Sequence, residues 1–133
     1  MILLIEPHWE TCRAIERLLS FHGYAVRSMS TIGEGLDACR YERPRVILAN
    51  QCASDAPLES FREMIDQNPM LHGIGLISYE AREPLPEADA TLNFGARDWL
   101  HRAGVRWSDL LPQIEDHFAN AESGATSDSF VIG

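Results

Sequence analysis

Hydrophobic positions along the chain fall into five short runs separated by longer amphipathic stretches. Ile2–Ile5, Tyr24–Met29, Val46–Ala49, Ile74–Ile77 and Trp99–His101 read as strands. Three of them are nearly continuous in apolar residues, as expected of parallel strands covered on both faces. Between the runs the spacing becomes helical. Ile15, Leu18, Leu19 and His22 share one helical face, and Gly23 is placed to end that helix. Thr31-Ile32-Gly33-Glu34 is a capping-box pattern that opens a second helix ahead of Leu36 and Cys39. Leu58, Phe61, Met64 and Ile65 give a third, which Asn68-Pro69 ends. A short fourth helix is left over Ala88–Asn93, delayed by Pro84 and Pro86. A fifth takes Asp109 as its N-cap, with Pro112 in the first turn and Leu110, Leu111, Ile114 and Phe118 facing inward. Five alternations predict an α/β, doubly wound, flavodoxin-like sheet of five parallel strands in the order 2-1-3-4-5, with helices on both faces.

The totals fit one such domain. The chain has 133 residues, 45% hydrophobic and 23% charged, enough to bury a sizeable core. A net charge of −9 repels phosphate backbones and anionic membrane surfaces, which argues against direct nucleic-acid binding. No apolar run approaches the ~20 residues that span a bilayer. The opening Met1–Ile5 lacks a basic stretch ahead of it and meets Glu6 and Pro7 at once, so it reads as a strand and not as a signal peptide. Cys12, Cys39 and Cys52 are odd in number and far apart, which points to reduced thiols in a cytoplasm and to neither a disulfide framework nor a zinc site. The domain is expected over residues 1–119. From about Asn120, "NAESGATSDS" has the composition of a flexible linker, and Phe130-Val131-Ile132-Gly133 resembles the edge of a further domain.

In an open parallel sheet, functional groups gather beyond the carboxyl ends of the strands. Those positions hold Glu6 and Pro7, Asn50, Ser78 and Arg102. One acid, one amide, one hydroxyl and one guanidinium are therefore expected to converge.

Over its first 119 residues or so the chain resembles the response-regulator receiver domain. "ILLIEPHW" is similar to the opening strand and acidic pair of that family, and "RPRVILANQ" to the strand that ends in the phospho-accepting Asp. "GIGLISYE" is similar to the strand ending in Ser/Thr. "GARDWLHRAG" is similar to the segment that carries an aromatic residue and then Lys-Pro. The resemblance implies a site of two acids with the acceptor Asp around Mg²⁺, and a Lys and a hydroxyl holding the phosphoryl oxygens. Here the acceptor position is Asn50, whose carboxamide is a poor nucleophile with no anionic oxygen. Pro7 takes the second acidic position, so Glu6 stands alone and Mg²⁺ is expected to bind weakly or not at all; no other cofactor is implied. Arg102 replaces the Lys and is expected to close on Glu6 as a bidentate ion pair. Ala103 replaces the Pro, so a trans peptide and a different loop path follow. Ser78 is retained in type. Together these departures describe a degenerate phosphorylation pocket, a pseudo-receiver.

Trp99 takes the place of the family's aromatic switch residue, and a fixed rotamer is expected. With His101, Leu92 and Phe94 it would belong to the face of the fourth helix, fifth strand and fifth helix, through which a protein partner or a second copy would bind. Asp55 suits the N-cap of the third helix better than a substitute acceptor, and His8 suits the opening of the first helix. There is no nucleophile–base pair, metal-ligand cluster or phosphate-binding glycine loop, so an enzyme is not expected. Two functions follow. One is a regulatory module of a bacterial signalling or transcription regulator that works by protein contact without phosphorylation. The other is a sensor binding a small anion or metabolite at Ser78, Asn50 and Arg102.

Overall fold

A computed structural model of the protein describes residues 1–51, 58–69, 73–82 and 95–132. Four strands form one parallel sheet: β1 (Ile2–Ile5), β2 (Val26–Met29), β3 (Val46–Asn50) and β4 (Gly75–Tyr79), in the order β2-β1-β3-β4. The helices are α1 (Trp9–Phe21), α2 (Ile32–Glu42), α3 (Leu58–Gln67), α4 (Ala96–Arg102) and α5 (Trp107–Ile132).

The sheet sorts its side chains by parity, because successive residues of a strand point to opposite faces. Ile2, Leu4, Val46, Leu48, Ile77 and Tyr79 pack with Ile15 and Leu19 of α1, Leu100 of α4, and Trp107, Leu110 and Ile114 of α5. Leu3, Ile5, Ile47 and Ala49 face the other way, onto Ile32, Ala38 and Cys39 of α2 and Ile65 of α3. Both faces of β1 and β3 are covered, which is why these two strands are apolar throughout. Gly35 lets α2 lie close to the sheet: a Cβ there would stand 2.5 Å from Cδ1 of Ile5.

Two helix ends follow the sequence signals. Thr31 Oγ1 accepts from the Glu34 N–H at 3.1 Å and donates to the Glu34 carboxylate at 3.2 Å. Gly23, at φ +85°, takes the left-handed position after the His22 C-cap.

Two expectations are overturned. The segment Trp99–His101 is not a strand; it lies inside helix α4. Ala96, Trp99, Leu100 and Ala103 recur at i, i+3, i+4 and i+7 and all pack on the core with α1. Gly104, at φ +87°, ends the helix; its N–H bonds to His101 O and the Val105 N–H to Leu100 O. Asp98 in the first turn and His101 and Arg102 in the last complement the helix dipole. The described sheet therefore has four strands. Asp109 is not an N-cap either. The N–H groups of Asp109 and Leu110 both bond to Arg106 O, so α5 starts earlier and Pro112 falls inside it. Burial of Trp107 beside the His22 ring fixes this earlier start. The backbone of α5 continues to Ile132, through the stretch whose composition reads as a linker. The expected helix over Ala88–Asn93, and Asp55 at the head of α3, lie outside the described residues.

Candidate functional site

The strand order changes direction between β1 and β3, and their carboxyl ends lie side by side, Ile5 beside Ala49. The next side chains, Glu6 and Asn50, are only 2% and 4% exposed. Asn50 Nδ2 donates to both Glu6 carboxylate oxygens, at 3.0 and 3.2 Å. The same amide ties β3 to the chain beyond β4: Nδ2 lies 3.4 Å from Ala81 O, and the Ala81 N–H donates to Oδ1 at 3.3 Å. Tyr79, opposite Asn50 in the β3–β4 register, donates its hydroxyl to Glu6 Oε1 at 2.7 Å. The His8 N–H donates to Oε2 at 3.0 Å. A buried carboxylate is thus satisfied by an amide, a phenol and a backbone N–H, all of them donors. Burial foremost, then the Glu6 charge and the bond to it, hold the Tyr79 phenol well above its ordinary pKa.

Glu6 and Asn50 therefore meet as the sequence suggests, but the rest of the expected pocket does not assemble around them. The Glu6–Arg102 ion pair is not formed; Arg102 is exposed at the end of α4, because its segment is a helix packed on α1. Ser78 lies within β4 and not beyond it, since that strand runs two residues further than its apolar run; its hydroxyl accepts from Gln51 Nε2 at 3.1 Å. Pro7 is exposed. Ala103, fully buried, is the C-cap of α4 with its carbonyl accepting from the Arg82 N–H, and the described residues contain no cis peptide. Tyr79 is the residue that the sequence reading missed. The available signal was its parity: two residues after Ile77, it points to the α1 face of the sheet.

These residues do not fit the Mg²⁺ of a phosphorylatable receiver. Both Glu6 oxygens already accept hydrogen bonds, and no three His, Cys, Asp or Glu side chains gather as metal ligands among the described residues.

Trp99 lies on helix α4. Its Nε1–H donates to Thr11 Oγ1 at 3.0 Å, and its ring stacks on His8 with centroids 6.0 Å apart. His8 is the N-cap of α1, with Nδ1 3.4 Å from the Thr11 N–H and 3.2 Å from Thr11 Oγ1. The expected interaction face is therefore not built as read. Trp99 turns toward α1, His101 is exposed, and Leu92 and Phe94 lie outside the described residues. Cys12 and Cys39 are buried free thiols, each pushed up to about 11, Cys39 by burial and Cys12 by burial first.

The chain matches no protein-family model and no curated protein sequence.

Proposed function

We propose that the protein is a receiver-like signalling domain whose phosphorylation site has been replaced by a buried polar lock, and that it acts by protein contact without phosphorylation. The observation that carries this reading is the pair of hydrogen bonds from the Asn50 amide to the Glu6 carboxylate at the carboxyl ends of adjacent central strands. An acid and an acceptor side chain at that place are what phosphoryl chemistry would use, but here the acceptor is an amide and the acid is fully engaged. A parallel sheet in the order β2-β1-β3-β4 supports the same reading, since it puts β1 and β3 at the switch point where such sites form. A regulatory role in a bacterial signalling or transcription protein follows from the same resemblance.

The alternative is an anion sensor. A cleft of about 410 Å³ lined by Arg82 and Arg102 supports it, with Glu80 in the same wall opposing it. Of the three residues expected to hold such a ligand, Ser78, Asn50 and Arg102, Asn50 is buried against Glu6 and Arg102 is exposed at the end of α4.

Amide NMR before and after adding Mg²⁺ with beryllofluoride separates the two. Protein-contact signalling expects no shift at Asn50, Ser78 or Arg102. Saturable shifts there would overturn it in favour of an anion sensor.

A further inference from the structure

We propose that the groove between helix α2 and strand β2 binds a cationic amphipathic helix of a partner protein. This rests on the reading of the domain as a protein-contact module, and names the surface and the chemistry of what it contacts.

The groove encloses about 450 Å³, and every residue that lines it belongs to one described stretch, 27–42. Glu34, Asp37, Ala38, Tyr41 and Glu42 recur at i, i+3, i+4, i+7 and i+8, so they form one face of α2. Ile32, Gly35 and Cys39 are spent on the sheet side of the same helix. The floor of the groove is apolar: Ala38 is buried, and Met29 packs at the margin of the α2–α3 core. Tyr41 forms its wall with 85% of its surface exposed, offering an apolar ring and a hydroxyl to whatever docks beside it.

Charge decides what the occupant is. The carboxylates of Glu34, Asp37 and Glu42 rim the groove against a single guanidinium, that of Arg27. Arg27 meets Oε1 of Glu42 at 3.3 Å, whereas Oε2 of the same carboxylate is shielded from water and has no hydrogen-bond donor among the described residues. An oxygen in that condition is costly, and an incoming ammonium or guanidinium supplies the donor it lacks. The last torsion of a glutamate is soft, so this oxygen can turn into the groove to meet it. Asp37 has Arg40 at 4.0 Å, an exposed contact that a partner's cation can replace. The acidic rim repels phosphate backbones and anionic membranes, which leaves a basic protein segment as the occupant.

Spacing sets the form of that segment. Glu34 and Glu42 lie about 12 Å apart along the axis of α2. Two basic residues two turns apart on a partner helix, about 10 Å, reach both, and an apolar side chain between them faces Met29 and Ala38.

Amide NMR titration in about 0.1 M salt tests this. The probe is a leucine–lysine amphipathic peptide of about 14 residues, four turns of helix, and its leucine–glutamate counterpart is the control. The lysine peptide is expected to shift amides within residues 27–42 saturably, and more weakly as salt is raised; the glutamate peptide is expected to shift none. Asp37→Lys and Tyr41→Ala are each expected to weaken binding by about tenfold. Both side chains are exposed, and unchanged amide positions in β1 and β3 verify that the variants keep the fold. No saturable shift in residues 27–42 overturns the proposal, as do shifts spread over acidic surface elsewhere, equal binding of the glutamate peptide, or binding that either variant leaves unchanged. A groove that fails while the Asn50 amide stays silent to beryllofluoride removes this surface and leaves the protein-contact reading standing. A groove that binds while the Asn50 amide shifts does the reverse.

Discussion

Replacing Asn50 by Asp restores the residue type a phospho-acceptor needs, and here it should damage the protein before it helps any chemistry. The substitution removes the Nδ2 donor that serves both Glu6 oxygens at 3.0 and 3.2 Å. Losing a hydrogen bond to a buried charge costs about 1.5–3 kcal/mol. It also places a second carboxylate where the amide was. Two unit charges about 3 Å apart repel by on the order of 5 kcal/mol at an effective dielectric constant of 20, which sets a ceiling because the pair can take up a proton. A net loss of about 3–4 kcal/mol at pH 7.5 is expected, with the Ala81 N–H still bonded to the remaining oxygen. The loss has a pH signature. The folded variant holds a proton that its unfolded chain releases near pH 4, so the deficit shrinks as pH falls toward 5 and is full at pH 7.5. Urea unfolding followed by circular dichroism at both pH values measures it; with a slope of about 2 kcal/mol per molar, the midpoint falls by about 1.5–2 M. A variant within about 0.5 kcal/mol of the parent at pH 7.5 would refute the lock. Recovery of the lost stability by millimolar Mg²⁺ would refute it too, since a metal would then be taking the place of the amide.

Tyr79→Phe removes one donor from the same carboxylate and should cost about 2 kcal/mol at neutral pH in the same assay. The phenol is kept protonated above its ordinary value, so its contribution is complete below pH ~10 and is lost as pH rises beyond that, when the unfolded chain ionises first. The variant should show a shallower stability decline above pH 10, and a decline as steep as the parent's would contradict the assignment. Cys12 and Cys39 act with the same sign: with folded values of about 11 against 9.0, they lose stability between those limits. In a Cys52→Ser background neither thiol should react with an aromatic disulfide reagent at pH 8 until urea unfolds the chain, and rapid labelling of the folded protein would show the burial to be wrong.

Much of this arrangement was legible in the pattern of residues. The apolar runs of β1 and β3 marked strands covered on both faces, and Thr31–Glu34 and Gly23 marked helix ends by the chemistry they perform. The acid and amide at the two central strand ends were readable as one site. What failed was the segment around Trp99. Its three central residues satisfy a strand pattern, whereas Ala96, Trp99, Leu100 and Ala103 satisfy a helical one over a longer window, with Gly104 as terminator. The longer period is the stronger signal, and likeness to a strand-bearing segment outweighed it. Arg102 was misplaced by the same step, because a strand would have carried it toward Glu6 and a helix carries it to the surface. Tyr79 was missed because β4 was stopped at the end of its apolar run, although an aromatic residue at the right parity continues a strand well.

The buried carboxylate bears on how such a domain can signal. Glu6 follows β1, and the groups that neutralise its need for hydrogen bonds come from the ends of β3 and β4 and from the cap of α1. Withdrawing any one of them leaves a charge short of donors in a place water does not reach, which is costly enough to hold three strand ends and a helix cap together. A site that switched by phosphorylation would have to let these groups separate to admit a metal and a phosphoryl oxygen. The lock therefore has two consequences that cannot be uncoupled: it stabilises the carboxyl end of the sheet, and it removes that end from chemical control. On the protein-contact reading proposed above, regulation would then act through the surfaces a partner touches and not through this end of the sheet.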